Sequence, residues 1–107
     1  MSKKMIKGSK RMQTVSEIRA RFLPIFQKYD VRKAILFGSF AKGVAAESSD
    51  IDLLVDSGLR GLRFVGLLDE LSEASGRSVD LIDASHVQNA SPVAREIEKT
   101  GVVIYEK

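Results

Sequence analysis

Cysteine is absent from this 107-residue sequence, proline occurs twice and histidine once. Without cysteine there is neither a disulfide framework nor a thiolate zinc site. His86 has no second ligand beside it and no nucleophile pattern around it, so it is read as structural or exposed, with no chemical role. Aromatic residues make up 7% and do not alternate with basic ones along any stretch, so the body does not present a nucleic-acid-binding face. No apolar run approaches the roughly 20 residues needed to span a bilayer. Internal repeats, low-complexity tracts and a dividing linker are also missing. The length allows one domain with a modest core.

What is present is ordinary in amount and uneven in placement. Hydrophobic residues are 44% and charged residues 29%, as in a typical globular domain. The net charge of +3 comes from the start of the chain. Lys3, Lys4, Lys7, Lys10 and Arg11 bring five positive charges with no acid among them, which leaves 12 Lys and Arg against 14 Asp and Glu in the rest. Residues 1–13 are expected to be a basic, disordered tail able to touch phosphate backbones weakly. They lack the apolar segment of a secretory signal, and a cytoplasmic location is the expectation. Residues 14–107 form the expected domain.

Thr14-Val15-Ser16-Glu17 fits a capping box, and Val15, Ile18, Phe22, Ile25, Phe26 and Tyr29 recur at helical spacing. Pro24 should kink this helix or delay its start. Residues 32–37 read as a strand closed by Gly38, and residues 38–49 as a loop with one helical turn. A second strand spans 50–55. A second amphipathic helix is expected on Leu62, Val65, Leu68 and Leu71, widened by Phe64 and Leu67, with Gly76 as its C′ residue. Residues 78–82 form a third strand. Ser91-Pro92 opens a helix that runs to about Thr100, and residues 102–105 are a closing edge strand. The expected class is α+β, a mixed sheet of about four strands with helices packed against it.

Two features carry chemistry. Gly38-Ser39 follows an apolar strand directly, and Asp50-Ile51-Asp52 opens the next strand, with ten residues between Ser39 and Asp50. Side chains alternate across a strand, so Asp50 and Asp52 share one face, about 7 Å apart. Their mutual repulsion calls for a hard divalent cation with oxygen ligands, and Mg²⁺ completed by substrate phosphates suits it. Asp80, flanked by the apolar Val79 and Leu81, would join the same surface if its strand lies beside that of Asp50 and Asp52. Three acids can hold two metals, with Asp80 placed to take the proton of an acceptor hydroxyl. Gly38 lets the backbone approach a phosphate, Ser39 and the following amides can bind the β- and γ-phosphates, and Lys42 can add positive charge. Asp83 is out of phase with Asp80 and reads as a turn or cap residue. Ser49 is a candidate cap for the Asp50 backbone. Each signal alone is bland: Gly-Ser pairs, Asp-x-Asp strand ends and surface lysines are common.

Leu36-Phe37-Gly38-Ser39-Phe40-Ala41-Lys42-Gly43 and Ser49-Asp50-Ile51-Asp52-Leu53-Leu54-Val55 together resemble the signature G-S-x10-D-x-D of the minimal nucleotidyltransferases in the DNA polymerase β superfamily. The likeness extends over about residues 16–107, through Gly76-Arg77-Ser78-Val79-Asp80-Leu81 and Gly101-Val102-Val103-Ile104-Tyr105. It implies the polymerase-β-like nucleotidyltransferase fold. It implies that Asp50 and Asp52 bind Mg²⁺, that Gly38 and Ser39 hold the triphosphate, and that Asp80 completes the triad. Lys42 stands where many members have Arg, which keeps the charge and loses bidentate phosphate recognition. Members often act as antitoxins paired with a HEPN-domain ribonuclease toxin. The resemblance therefore implies transfer of AMP from ATP onto a tyrosine of such a toxin.

Size points independently to a partner, because no second domain is present to hold an acceptor. An exposed apolar face near Phe64 and Leu67 is the expected docking surface. Competing readings are an antitoxin that neutralises its partner by binding alone, a nucleic-acid-binding module using the basic tail, and an enzyme acting on a small-molecule acceptor.

Overall fold

The computed structural model describes residues 14–46 and 48–107, so the basic segment 1–13 lies outside the described residues. Thr14 is the N-cap of helix α1 (Val15–Lys28), and the expected capping box is complete. The Thr14 hydroxyl accepts from the Glu17 amide at 3.1 Å, and the Glu17 carboxylate accepts from the Thr14 amide at 3.1 Å. Ile18, Phe22 and Phe26, four residues apart, are fully buried. The helix runs through Pro24 without a delayed start. The ring sits on the exposed side, where a lost backbone hydrogen bond is compensated by water.

Four strands follow: β1 (Lys33–Phe37), β2 (Ile51–Asp56), β3 (Val79–Asp83) and β4 (Val102–Glu106). They form one mixed sheet in the order β3-β2-β1-β4. β1 pairs antiparallel with both β2 and β4, while β2 and β3 run parallel. The closing strand is an edge, as expected, and strand ends differ from the sequence reading by about one residue. Along β2, burial alternates strictly: Ile51, Leu53 and Val55 enter the core while Asp52, Leu54 and Asp56 do not.

α3 (Leu62–Ser75) and α1 cover the face that carries Leu36, Ile51, Leu53 and Val55, with Leu67 and Leu71 fully buried. Tyr29 and Lys28 both reach Glu70 at 2.7 Å and join the two helices. A Cβ on Gly66 would lie 2.9 Å from the Tyr29 hydroxyl, so a larger residue there would make the tyrosine shift. The seam of α3 differs from the expected one. Leu62 is 88% and Val65 48% exposed, because the stripe facing α1 and the sheet runs through Phe64, Leu67, Leu68 and Leu71. Leu67 therefore cannot belong to a docking surface, which corrects the expectation made for Phe64 and Leu67.

A one-turn helix, α2 (Ser39–Lys42), fills the loop between β1 and β2 and is anchored by the buried Phe40. α4 (Pro92–Thr100) opens on the Ser91 hydroxyl, which accepts from the Ala94 amide at 3.2 Å, with Pro92 in the first turn. It packs on β1 from the face opposite α1 and α3, where Ile97 and Ile35 meet around Gly101. No helix among the described residues is long and apolar enough to cross a membrane.

Candidate active site

The alternation that buries Ile51 and Leu53 turns Asp52 to the other face of the sheet. The parallel register sets Asp80 directly beside it, and the antiparallel register sets Phe37 on its other side. Neighbouring strands are about 4.8 Å apart, so in-register side chains on one face are in close company. Asp50 is exposed just ahead of β2, and Asp80 is exposed on β3. Thus Asp50, Asp52 and Asp80 come together at one end of two adjacent strands.

The cost of this crowding falls on Asp52. Burial pushes its carboxyl above the ordinary range, and the Asp80, Asp50 and Glu96 carboxylates push it the same way. Glu96, on α4, is a fourth acid that sequence reasoning missed. Like charges held together without compensating donors are characteristic of sites built for a cation or a proton. Among the described residues no group of three or more His, Cys, Asp and Glu is placed to hold a metal ion by itself. Mg²⁺ takes one or two carboxylates and leaves its remaining positions to phosphates and water.

Gly38 joins β1 to α2 at φ +76°, in the left-handed region that favours glycine. Space makes the same demand: a Cβ here would overlap Asp52 Oδ2 and lie 3.3 Å from its Cγ. The Gly-Ser turn and the Asp-x-Asp strand are therefore packed against each other. Ser39, half-buried, begins α2, and the first amides of such a turn have no partner within it. The Gly38 amide differs, for it donates to Thr100 Oγ1 at 3.1 Å. Lys42 ends the turn with its ammonium 3.7 Å from Glu96 Oε2. Its charge is at the site, facing a carboxylate.

Arg77 is another residue that sequence reasoning missed. It is buried; its guanidinium donates to Ala46 O at 3.1 Å and Ser49 O at 3.0 Å and lies 4.8 Å over the Phe40 ring. It clamps the loop that delivers Asp50. Ser49 caps the Ala46 amide at 2.8 Å instead of Asp50. Asp83 is the cap it was expected to be. Its two oxygens accept from Ser57 and Ser85 and begin the short 3₁₀ turn Ala84–His86. His86 is exposed in that turn. A cavity of about 690 Å³ there is lined by Arg32, Leu59, Arg60, Phe64 and His86. It lies at the far end of β2 and β3, away from the three acids, so the acids and not this hollow mark the chemistry.

With this geometry established, comparison with known proteins is informative. The family model described as polymerase beta, nucleotidyltransferase matches residues 21–107. A protein of Methanocaldococcus jannaschii, assigned by inference as a protein adenylyltransferase, is 40% identical over 70 residues, covering 64% of this chain and 75% of its own. The protein adenylyltransferase MntA of Thermococcus cleftensis is 36% identical over 77 residues, covering 66% of this chain and 76% of its own. A similar fold occurs in a chain from the complex of tri-AMPylated Shewanella oneidensis HEPN toxin with MNT antitoxin. The TM-score is 0.66 at 17% identity, with 88% of this chain and 74% of that one covered.

Proposed function

This chain belongs to the polymerase β nucleotidyltransferase family, and on that premise we propose that it is a Mg²⁺-dependent protein adenylyltransferase. It moves AMP from ATP to a tyrosine hydroxyl of a HEPN-domain toxin, in the cytoplasm where ATP is supplied, and so acts as an antitoxin. The observation that carries this reading is the register of Asp80 with Asp52, beside a Gly38 turn that only glycine can occupy. The relatives' names supply the nucleotide and the protein acceptor.

Asp50 and Asp52 would hold Mg²⁺, with Asp80 as a further ligand; when bound, the ion neutralises the triphosphate and orients its α-phosphorus. Ser39 and the amides at the start of α2 bind the β- and γ-phosphates. Asp80, exposed at the sheet edge, accepts the proton from the incoming tyrosine hydroxyl. A bond forms from that oxygen to the α-phosphorus, the bond to the β-phosphate bridge breaks, and pyrophosphate leaves.

The test is incubation with Mg²⁺, the HEPN partner and ATP labelled at the α-phosphate. Label should appear on a partner tyrosine with release of pyrophosphate, and Asp50→Ala/Asp52→Ala should abolish it. Neutralisation of the toxin by the double variant, without label, would favour binding alone.

A further inference from the structure

α4 ends against both ends of the one-turn helix that carries Ser39. Thr100 Oγ1 accepts from the Gly38 amide at 3.1 Å and donates to Glu96 O at 2.9 Å. One turn earlier on the same helix face, Glu96 Oε2 lies 3.7 Å from Lys42 Nζ. α4 is itself held on β1, since a Cβ on Gly101 would collide with Ile97 O and come within 3.1 Å of Ile35 Cγ2. The helix end is thus a fixed strut, and its two polar side chains grip the residue before α2 and the last residue within it.

Each grip has a consequence for a bound nucleotide. Gly38 backs directly onto Asp52, so whatever fixes the Gly38 backbone also fixes the distance between the phosphate turn and the carboxylates. The half-buried Thr100 hydroxyl does this by satisfying the Gly38 amide, which leaves the amides after it to meet phosphate. Glu96 does the opposite kind of work. It neutralises Lys42 and adds negative charge beside the place where a triphosphate must enter, so the phosphates have to displace it.

We propose that Thr100 and Glu96 are positioning residues of the triphosphate turn. Thr100 sets the turn's distance from the carboxylates, and Glu96 holds Lys42 until the triphosphate takes it over. This rests on the nucleotidyltransferase reading and adds two residues to it.

The experiment measures Mg-ATP affinity and the kinetics of AMP transfer for wild type, Thr100→Val, Thr100→Ser and Glu96→Gln. Thr100→Val keeps the shape and loses the hydroxyl. Its KM for ATP should rise about tenfold, the scale of one lost hydrogen bond, with kcat changed far less. Thr100→Ser should restore the wild-type value. Glu96→Gln removes a half-buried charge while keeping the side chain's shape, and should bind Mg-ATP about threefold to tenfold more tightly, with the gain shrinking as salt is raised. Wild type that binds ATP while all three variants match it would overturn this proposal alone. Wild type that binds no Mg-ATP would overturn the functional reading and this one together. Should Thr100→Val not fold, Glu96→Gln with unchanged affinity still rejects the Glu96 role, and Thr100→Ser with a raised KM still rejects the hydroxyl's.

Discussion

β2 and β3 carry carboxylates at both ends, and the two ends treat them in opposite ways. At the far end Asp83 points into the helix-covered face. Its oxygens accept from the Ser57 hydroxyl at 2.7 Å, the Ser85 hydroxyl at 2.6 Å and the Ser85 amide at 3.0 Å. Burial alone would raise its pKa, but these hydrogen bonds overcome it and hold the carboxyl below the ordinary range. At the near end Asp52 receives no hydrogen bond from the described residues and faces Asp80, Asp50 and Glu96, so its carboxyl is held above that range. A satisfied buried acid is architecture. An acid crowded by other acids is a stability cost the fold tolerates, and such a cost marks a site.

The sharpest way to separate the two ends is to neutralise each. Asp52→Asn should lower AMP transfer by about 10³-fold, since a metal ligand supplies several kcal/mol to the transition state. The same variant should melt a few degrees higher, because it removes repulsion. Mg-ATP should raise the Tm of wild type and leave that of Asp52→Asn nearly unmoved. An Asp52→Asn protein that is both inactive and less stable would break the comparison.

Gly38→Ala forces a side chain into the near end from the neighbouring strand. Positive φ and overlap with Asp52 Oδ2 together should cost about 3 kcal/mol of unfolding free energy, measured by urea titration. Activity should fall with it. A smaller effect is expected from Asp83→Asn, about 2 kcal/mol, from weakened hydrogen bonds to a charged acceptor. At 25 °C, transfer per folded molecule should stay at the wild-type level for this variant, which is the result that distinguishes architecture from site.

How much of this was readable beforehand follows from how local each determinant is. Strand alternation is local, so the facing of Asp50 and Asp52 away from Ile51 and Leu53 could be read directly, as could the phase that sets Asp83 apart from Asp80. Capping chemistry is local too, and Thr14, Gly76 and Ser91 stand where expected. The seam of α3 was misjudged because Leu62, Phe64, Val65, Leu67, Leu68 and Leu71 are apolar on more than one face. Only the position of α1 and the sheet selects among them. Glu96 and Thr100 gave no signal, for their value lies in α4 packing behind β1, which depends on the sheet order. Arg77 had no individual reading. Its role exists only once the Ala46 and Ser49 carbonyls and the Phe40 ring are brought over it.

The subtlest difference between the two ends should appear in how stability depends on pH. Asp83 has a folded pKa below its ordinary value of 3.8. Its contribution is therefore present above that value and is lost as pH falls through the lowered one. Asp52 has a folded pKa above 3.8. Its contribution is present below that value and is lost as pH rises through the raised one. One pair of strands thus gives the stability curve an acid flank from Asp83 and, just above it, a shallow decline from Asp52. Denaturant titrations at closely spaced pH values should show Asp83→Asn flattening the acid flank alone and Asp52→Asn removing the decline alone. Mg²⁺ with ATP should also erase the decline in wild type, because a cation at Asp52 favours the ionised carboxylate that its neighbours disfavour. If instead the decline survives in Asp52→Asn, the crowding at Asp52 is not its source and the contrast between the two ends fails.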